Sequence, residues 1–179
     1  MLYIIAGLFV LVIAFLVLKA SAGSEVYSRF GVSESTHQLL GTDLGKSTKG
    51  VRLSRFGING IADAVFTHKQ AKEIVVGEFK SRKQKGRVRY NELYQLLLYM
   101  GHLAEKYPDH TIKGCLAYAD GRETVHYDHE VYSALVSLRG ELIAAFRNRR
   151  PPNTTPLHRR MNVSAQNAHL RLVAPPAND

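Results

Sequence analysis

The sequence predicts an α/β domain preceded by one N-terminal transmembrane helix, and three observations carry the prediction. The run Glu73-Ile-Val-Val-Gly-Glu-Phe-Lys80 has the length and the β-branched and aromatic content of a strand buried in the middle of a sheet. The stretch from Val88 to Tyr107 places Leu93, Leu96, Leu97 and Met100 at helical spacing with few breakers. At the other end of the chain, Leu2 to Leu18 holds no charged or strongly polar residue.

That first segment has 17 residues, roughly 25 Å as a helix at ~1.5 Å per residue, so it spans a ~30 Å hydrocarbon core once flanking residues are included. Lys19 and a domain rich in Lys and Arg follow it, while only the α-amino group precedes it, so the bulk of the chain is expected to face the cytoplasm. The competing reading is a secretory signal cut near Ala22, where Ala20-Ser-Ala22 resembles a cleavage site. No Lys or Arg precedes the apolar run and the run is longer than a usual signal core, which favours a retained anchor over residues 1–23.

Beyond the anchor, Gly41-Thr-Asp-Leu-Gly45-Lys46-Ser47 imitates a phosphate-binding loop but has three residues between its glycines where four are needed. Ile58-Asn-Gly-Ile-Ala-Asp-Ala-Val-Phe66 reads as one strand, and the polar residues Thr67 to Lys72 suit a hairpin into the strand ending at Lys80. Side chains alternate along a strand, so Glu78 and Lys80 share a face, and pairing of the two strands sets Asp63 beside Glu78. Two carboxylates sunk in an apolar sheet stay ionised only with a cation beside them. Mg²⁺ fits best, because it is commonly held by one or two carboxylates plus waters and phosphate oxygens. Lys80 then stands where it can orient a water and offset charge developing on a phosphate.

Between that strand and the helix runs Lys80-Ser-Arg-Lys-Gln-Lys-Gly-Arg-Val-Arg89, with six basic residues and no acid. Arg82, Lys83, Lys85, Arg87 and Arg89 are its candidate contacts to a nucleic-acid backbone. On the helix, Asn91, Gln95, Tyr99 and His102 make a polar stripe, and Gln95 is best placed to reach back toward Lys80. Thr111–Asp120 and Glu123–Tyr127 read as strands joined at Asp120-Gly121. His129 to Arg147 reads as one amphipathic helix covering the sheet through Val131, Leu135, Leu138, Leu142 and Phe146. From Arg149 onward the prolines, five arginines and single acid have the composition of a flexible tail, with a short pairing segment at His169 to Val173 as the alternative.

Taken together, Gly60-Ile-Ala-Asp63, Val76-Gly-Glu78-Phe-Lys80 and Tyr94-Gln95-Leu-Leu-Leu-Tyr99 resemble the motifs of the PD-(D/E)xK nuclease superfamily, in the branch of the RecB exonuclease domain and the CRISPR-associated RecB-like exonucleases. The likeness covers roughly residues 30 to 148. It implies a restriction-endonuclease-like core, a central mixed sheet flanked by helices, and hydrolysis of DNA, with RNA not set aside. By the resemblance Asp63 and Glu78 are metal ligands, the Phe79 carbonyl is a third, Lys80 is the catalytic lysine, and Gln95 and Tyr99 position lysine, water or DNA. The implied cofactor is Mg²⁺ or Mn²⁺. An upstream residue often completes the metal shell in the family; here the candidates are His37 and Glu34, with His37 preferred. Some relatives carry an iron-sulfur cluster on four cysteines, but Cys115 is alone in this chain, so neither a cluster nor an internal disulfide can form.

The formal charge of +9 agrees with a polyanionic partner, whether nucleic acid or acidic lipid. Two other readings remain at this stage: a nuclease fold kept only for binding nucleic acid or membrane, and a structural membrane protein whose basic face recruits another protein.

Overall fold

The computed structural model describes residues 24–44 and 49–174. The expected anchor lies outside the described residues, and among the described residues no helix is long and apolar enough to cross a membrane. Residues 24–30 are helical (α1). Five strands follow: β1 (His37–Thr42), β2 (Val51–Arg55), β3 (Ile58–Ala62), β4 (Ala64–His68) and β5 (Glu73–Lys80). Next come the two-residue strand β6 (Val88–Arg89), helix α2 (Tyr90–Lys106), strands β7 (Thr111–Tyr118) and β8 (Arg122–His126), and helices α3 (His129–Ser137) and α4 (Arg139–Asn148). Two single-turn 3₁₀ segments then lead to strand β9 (Leu172–Val173).

The central sheet has the order β1-β4-β5-β7-β8. It is mixed: β5 and β7 run parallel, joined by the crossover through α2, and the other neighbours are antiparallel. Alternation along each strand divides the core between two faces. Val65, Val76 and Leu116 pack under Leu93, Leu96, Leu97 and Met100 of α2, with Val131 and Leu135 of α3 beside them. Phe66, Val75, Cys115 and Ala117 face the other way, onto Val26 and Phe30 of α1. A Cβ at Gly77 would stand 2.6 Å from the Phe30 ring, so the missing side chain lets α1 lie on the central strand next to Glu78.

Three elements depart from the sequence reading. The expected strand Ile58 to Phe66 is interrupted at Asp63: β3 pairs with β2 in a separate two-stranded sheet, while β4 joins the central sheet. The expected helix over 129–147 breaks at Leu138 into α3 and α4. Val131 and Leu135 are buried, whereas Leu142 is 56% and Phe146 76% exposed, so only the first half of the apolar stripe covers the sheet.

The third departure is the C-terminal segment, which packs back instead of trailing. Met161 and Leu170 enter the main core, and Leu172–Val173 pairs in parallel with Val88–Arg89. Asn167, fully buried, clasps the end of β8: its Nδ2 donates to the His126 carbonyl at 2.9 Å and its Oδ1 accepts from the His126 N–H at 2.8 Å. Arg160 forks onto both oxygens of Glu141, and the Ser164 N–H donates to Asp128 Oδ2. Composition reads as tail because these ties are single side chains, not an apolar run.

Asn167→Ala leaves both His126 backbone groups without their partner, which costs about 1–3 kcal/mol for buried polar groups. The expected result is a lowered thermal midpoint together with faster hydrogen exchange at Leu172 and Val173; unchanged exchange there would contradict the clasp.

Candidate active site

The interruption at Asp63 is where the chain passes from the β2–β3 hairpin into the central sheet. Its carbonyl accepts from the Asp43 N–H at 3.0 Å and from Thr42 Oγ1 at 2.5 Å, so the end of β1 holds the bend. Its carboxylate accepts a 2.6 Å hydrogen bond at Oδ2 from the Phe79 N–H. Ala64 pairs with Gly77, so the next position in register sets Asp63 opposite Glu78.

Glu78 lies on the central strand β5 and is 4% exposed. Its Oε1 accepts from Lys80 Nζ at 2.9 Å, while Oε2 is buried with no donor. Lys80 Nζ also donates to Gln95 Oε1 at 2.8 Å, and Gln95 Nε2 donates to the Tyr99 hydroxyl at 3.1 Å. One turn of α2 thus carries both residues that brace the lysine. The Tyr99 ring lies against Gly60 of β3, 2.3 Å from where a Cβ would stand, so only glycine leaves room for it. The structure therefore brings Asp63, Glu78, Lys80, Gln95 and Tyr99 into one chain of contacts, with the Phe79 backbone linking Asp63 to the rest.

Electrostatics follow from that geometry. Burial pushes the Glu78 carboxyl above its ordinary value; the Lys80 hydrogen bond opposes this and the Asp63 charge adds to it. Burial also raises Asp63, against the Phe79 N–H and the Lys80 charge. Two further residues bear on Asp63 that sequence reading missed: Asp43, whose charge disfavours its ionisation, and Arg29 of α1, whose charge favours it. Arg29 lies 4.1 Å over the Phe79 ring and pairs with Glu25 at 2.7 Å. No local signal marks either residue, because only the fold brings α1 and the end of β1 to this point.

Among the described residues no group of three or more His, Cys, Asp or Glu is arranged to hold a metal. The donor set still suits a hard divalent ion that keeps most of its water: a half-buried carboxylate at the β3–β4 bend opposite a buried one on β5 that has an oxygen without a hydrogen-bond partner. Asp63 and Glu78 are the residues that would hold it.

His37 is not part of this set. Gly31, with φ +65°, follows the last residue of α1, and His37 then opens β1 instead of standing on a helix. It pairs with His68, their rings 4.8 Å apart, and its Nε2 lies 3.6 Å from Glu73 Oε1. Five residue steps of strand separate it from Thr42, about 16 Å at ~3.3 Å per residue. Glu34 sits in the preceding turn, where its carbonyl accepts from Lys69 Nζ.

The basic loop divides in two. Arg82 faces inward: Nε and Nη2 fork onto Glu92 at 2.7 and 2.6 Å, and the guanidinium lies 4.8 Å over the Tyr118 ring. It also donates to the carbonyls of Lys83 and Arg87, so it organises the loop from within and is not free to grip a phosphate. The turn at Lys85-Gly86 has positive φ at both residues and is held by the Gln84 and Lys85 N–H groups donating to Asp120. Lys83, Lys85, Arg87 and Arg89 line an open hollow of about 820 Å³, bordered by Val173 and Ala174.

No protein-family model matches the chain, and no curated protein does. Two solved structures are similar in part. One is a repair endonuclease from Pyrococcus abyssi, 19% identical with a TM-score of 0.35, over 68% of this chain and 43% of that one. The other is the protein SSO0001, 20% identical with a TM-score of 0.40, over 77% of this chain and 59% of that one. The chain thus spans less than two thirds of either structure.

A carboxyl whose folded pKa lies above its unfolded one binds its proton more tightly when folded. Stability then falls as pH rises from the ordinary carboxylate range through the folded value, and stays reduced above it. Glu78→Gln is therefore expected to raise the thermal midpoint at pH 7 in EDTA, with the gain closing toward pH 4; a lowered midpoint at pH 7 would contradict this. Glu92 behaves oppositely. Burial disfavours its charge, but the donors from Arg82, Arg89 and Tyr118 outweigh that and hold its carboxyl below the ordinary range. Its contribution is present at neutral pH and is lost as pH falls through that lowered value, so Glu92→Gln is expected to destabilise at pH 7 and much less in strong acid.

Proposed function

We propose that this protein is a Mg²⁺- or Mn²⁺-dependent nuclease hydrolysing DNA phosphodiester bonds, held to a membrane by residues 2–18 with its catalytic domain toward the cytoplasm. One observation carries the catalytic reading: a desolvated Asp63–Glu78 pair next to a lysine that Gln95 holds in place. When bound, a divalent ion supplies an activated water and offsets phosphate charge. Asp63 and Glu78 hold it, the first fixed by the Phe79 N–H and the second offering the buried Oε2. Lys80, whose Nζ donates to both Glu78 and Gln95, acts as a donor that orients water or a phosphate oxygen. Lys83, Lys85, Arg87 and Arg89, in the loop that runs from Lys80 to α2, supply backbone contacts, which makes binding salt-sensitive. The apolar sequence of residues 2–18 supports the tether and the charge after it supports the orientation; export with cleavage near Ala22 is the other address.

A second reading, a nuclease fold retained for binding alone, is favoured by one observation. Two carboxylates, not three, meet here among the described residues, and Lys80 already pairs with one of them.

Cleavage of labelled single-stranded, double-stranded and circular DNA by the full chain, with Mg²⁺, Mn²⁺ or EDTA, separates the two. The expected result is metal-dependent cutting that falls at least 100-fold, on the order of one lost electrostatic stabiliser, in each of Asp63→Ala, Glu78→Ala and Lys80→Ala. Gln95→Ala is expected to lose less, because it removes the brace and leaves the ammonium. Equal rates in all variants would sink the nuclease reading, and salt-sensitive binding without turnover would establish the second one.

A further inference from the structure

The β2–β3 hairpin takes no part in the chain of contacts from Asp63 to Tyr99 except through Gly60, yet its tip is unusual. Arg55 pairs with Ile58, leaving Phe56 and Gly57 as a two-residue loop, both with positive φ, +54° and +74°. This is the type I′ pattern that asparagine, aspartate or glycine normally fills. A bulky L-residue rarely adopts that conformation, and half of Phe56 stays exposed to solvent, outside the core. Backbone strain at an exposed aromatic that joins neither core cluster points to a role outside the fold.

The surroundings say what the ring suits. The Arg55 guanidinium lies 4.8 Å over it, held from behind by Glu105 at 2.8 Å. Arg139, at the start of α4, stands over Gly57, its Nε 3.0 Å from where a Cβ would be. A half-exposed aromatic ring with Arg55 stacked on it and Arg139 beside its turn is the chemistry of a platform for unpaired bases: the ring stacks and Arg139 is placed to meet a phosphate. The hairpin leads along β3 to the catalytic end, six residue steps from Gly57 to Asp63. That is about 20 Å at ~3.3 Å per residue, a span of several nucleotides.

We propose that the β2–β3 hairpin is a single-strand platform on which Phe56 stacks against unpaired DNA bases, directing the site to single-stranded or forked DNA. The substrate class rests on the nuclease reading; the binding does not require turnover.

The test compares the full chain with Phe56→Asn and Phe56→Tyr, by fluorescence anisotropy on a labelled single strand and on a blunt duplex, with thermal midpoints alongside. Asparagine suits the left-handed turn, so Phe56→Asn should hold or raise the midpoint while weakening single-strand binding about tenfold, the order of one lost aromatic stack. Duplex binding should stay within twofold, and tyrosine should restore single-strand binding. Equal single-strand binding by Phe56→Asn, equal losses on both substrates, failure of tyrosine to restore, or no binding by the unaltered chain would each overturn the platform. A chain that binds single strands through Phe56 but cuts nothing keeps the platform and loses the nuclease; one that cuts but ignores Phe56→Asn does the reverse.

Discussion

Asp63, half-buried at the bend between β3 and β4, stands opposite Glu78, buried in the central sheet, and burial disfavours the charge of both; the arrangement of this molecule turns on that constraint. Glu78 and Glu92 make the point by contrast. Both are almost fully buried, at 4% and 5% exposure. Glu92 receives Arg82 bidentately, the Arg89 N–H and the Tyr118 hydroxyl, and these donors outweigh its burial and leave it more acidic than usual. Glu78 receives Lys80 on one oxygen and keeps the other buried without a hydrogen-bond partner, and burial leaves it less acidic against the opposing pull of Lys80 and Gln95. The first is a finished structural ion pair. The second is incomplete within the protein, and that incompleteness is what the proposed divalent ion rests on.

The fold keeps that incomplete pair from collapsing. Thr42 and the Asp43 N–H anchor the bend at Asp63, and the Phe79 N–H fixes the carboxylate. Helix α2 reaches the site along a loop that Arg82 organises from inside, so the structural pair at Glu92 sets the register in which Gln95 meets Lys80. Gly60 admits the Tyr99 ring and couples the β2–β3 hairpin to the same helix face. A substrate strand running from the hairpin tip toward Asp63 would follow this coupling.

The parts legible in the sequence were those with a period. The strand Glu73–Lys80 matches its expected bounds, and α2 begins two residues later than the stretch expected from Val88, because Val88 and Arg89 pair with β9. The ordered spacing of Asp63, Glu78, Lys80, Gln95 and Tyr99 was visible, and the structure places those five together. What the period hid was the interruption at Asp63, since two strands in different sheets keep the same alternation as one. Arg82 looked like its basic neighbours because its acid partner is ten residues away on a helix. His37, the preferred upstream candidate, opens β1 at the far end from Thr42, and no local signal in the sequence marks that distance. Asp43 and Arg29 had no sequence signal, because strand pairing and the packing of α1 alone bring them to Asp63.

The most direct test of the central claim is the ionisation of Glu78 itself, followed by carbon-13 NMR of its side-chain carboxyl through a pH titration, with and without Mg²⁺. The expected result is a midpoint above the ordinary carboxylate range in EDTA that drops well below it when the metal is added. The same midpoint under both conditions would mean that no ion completes the pair, and the site would then be a binding surface without the means to cut.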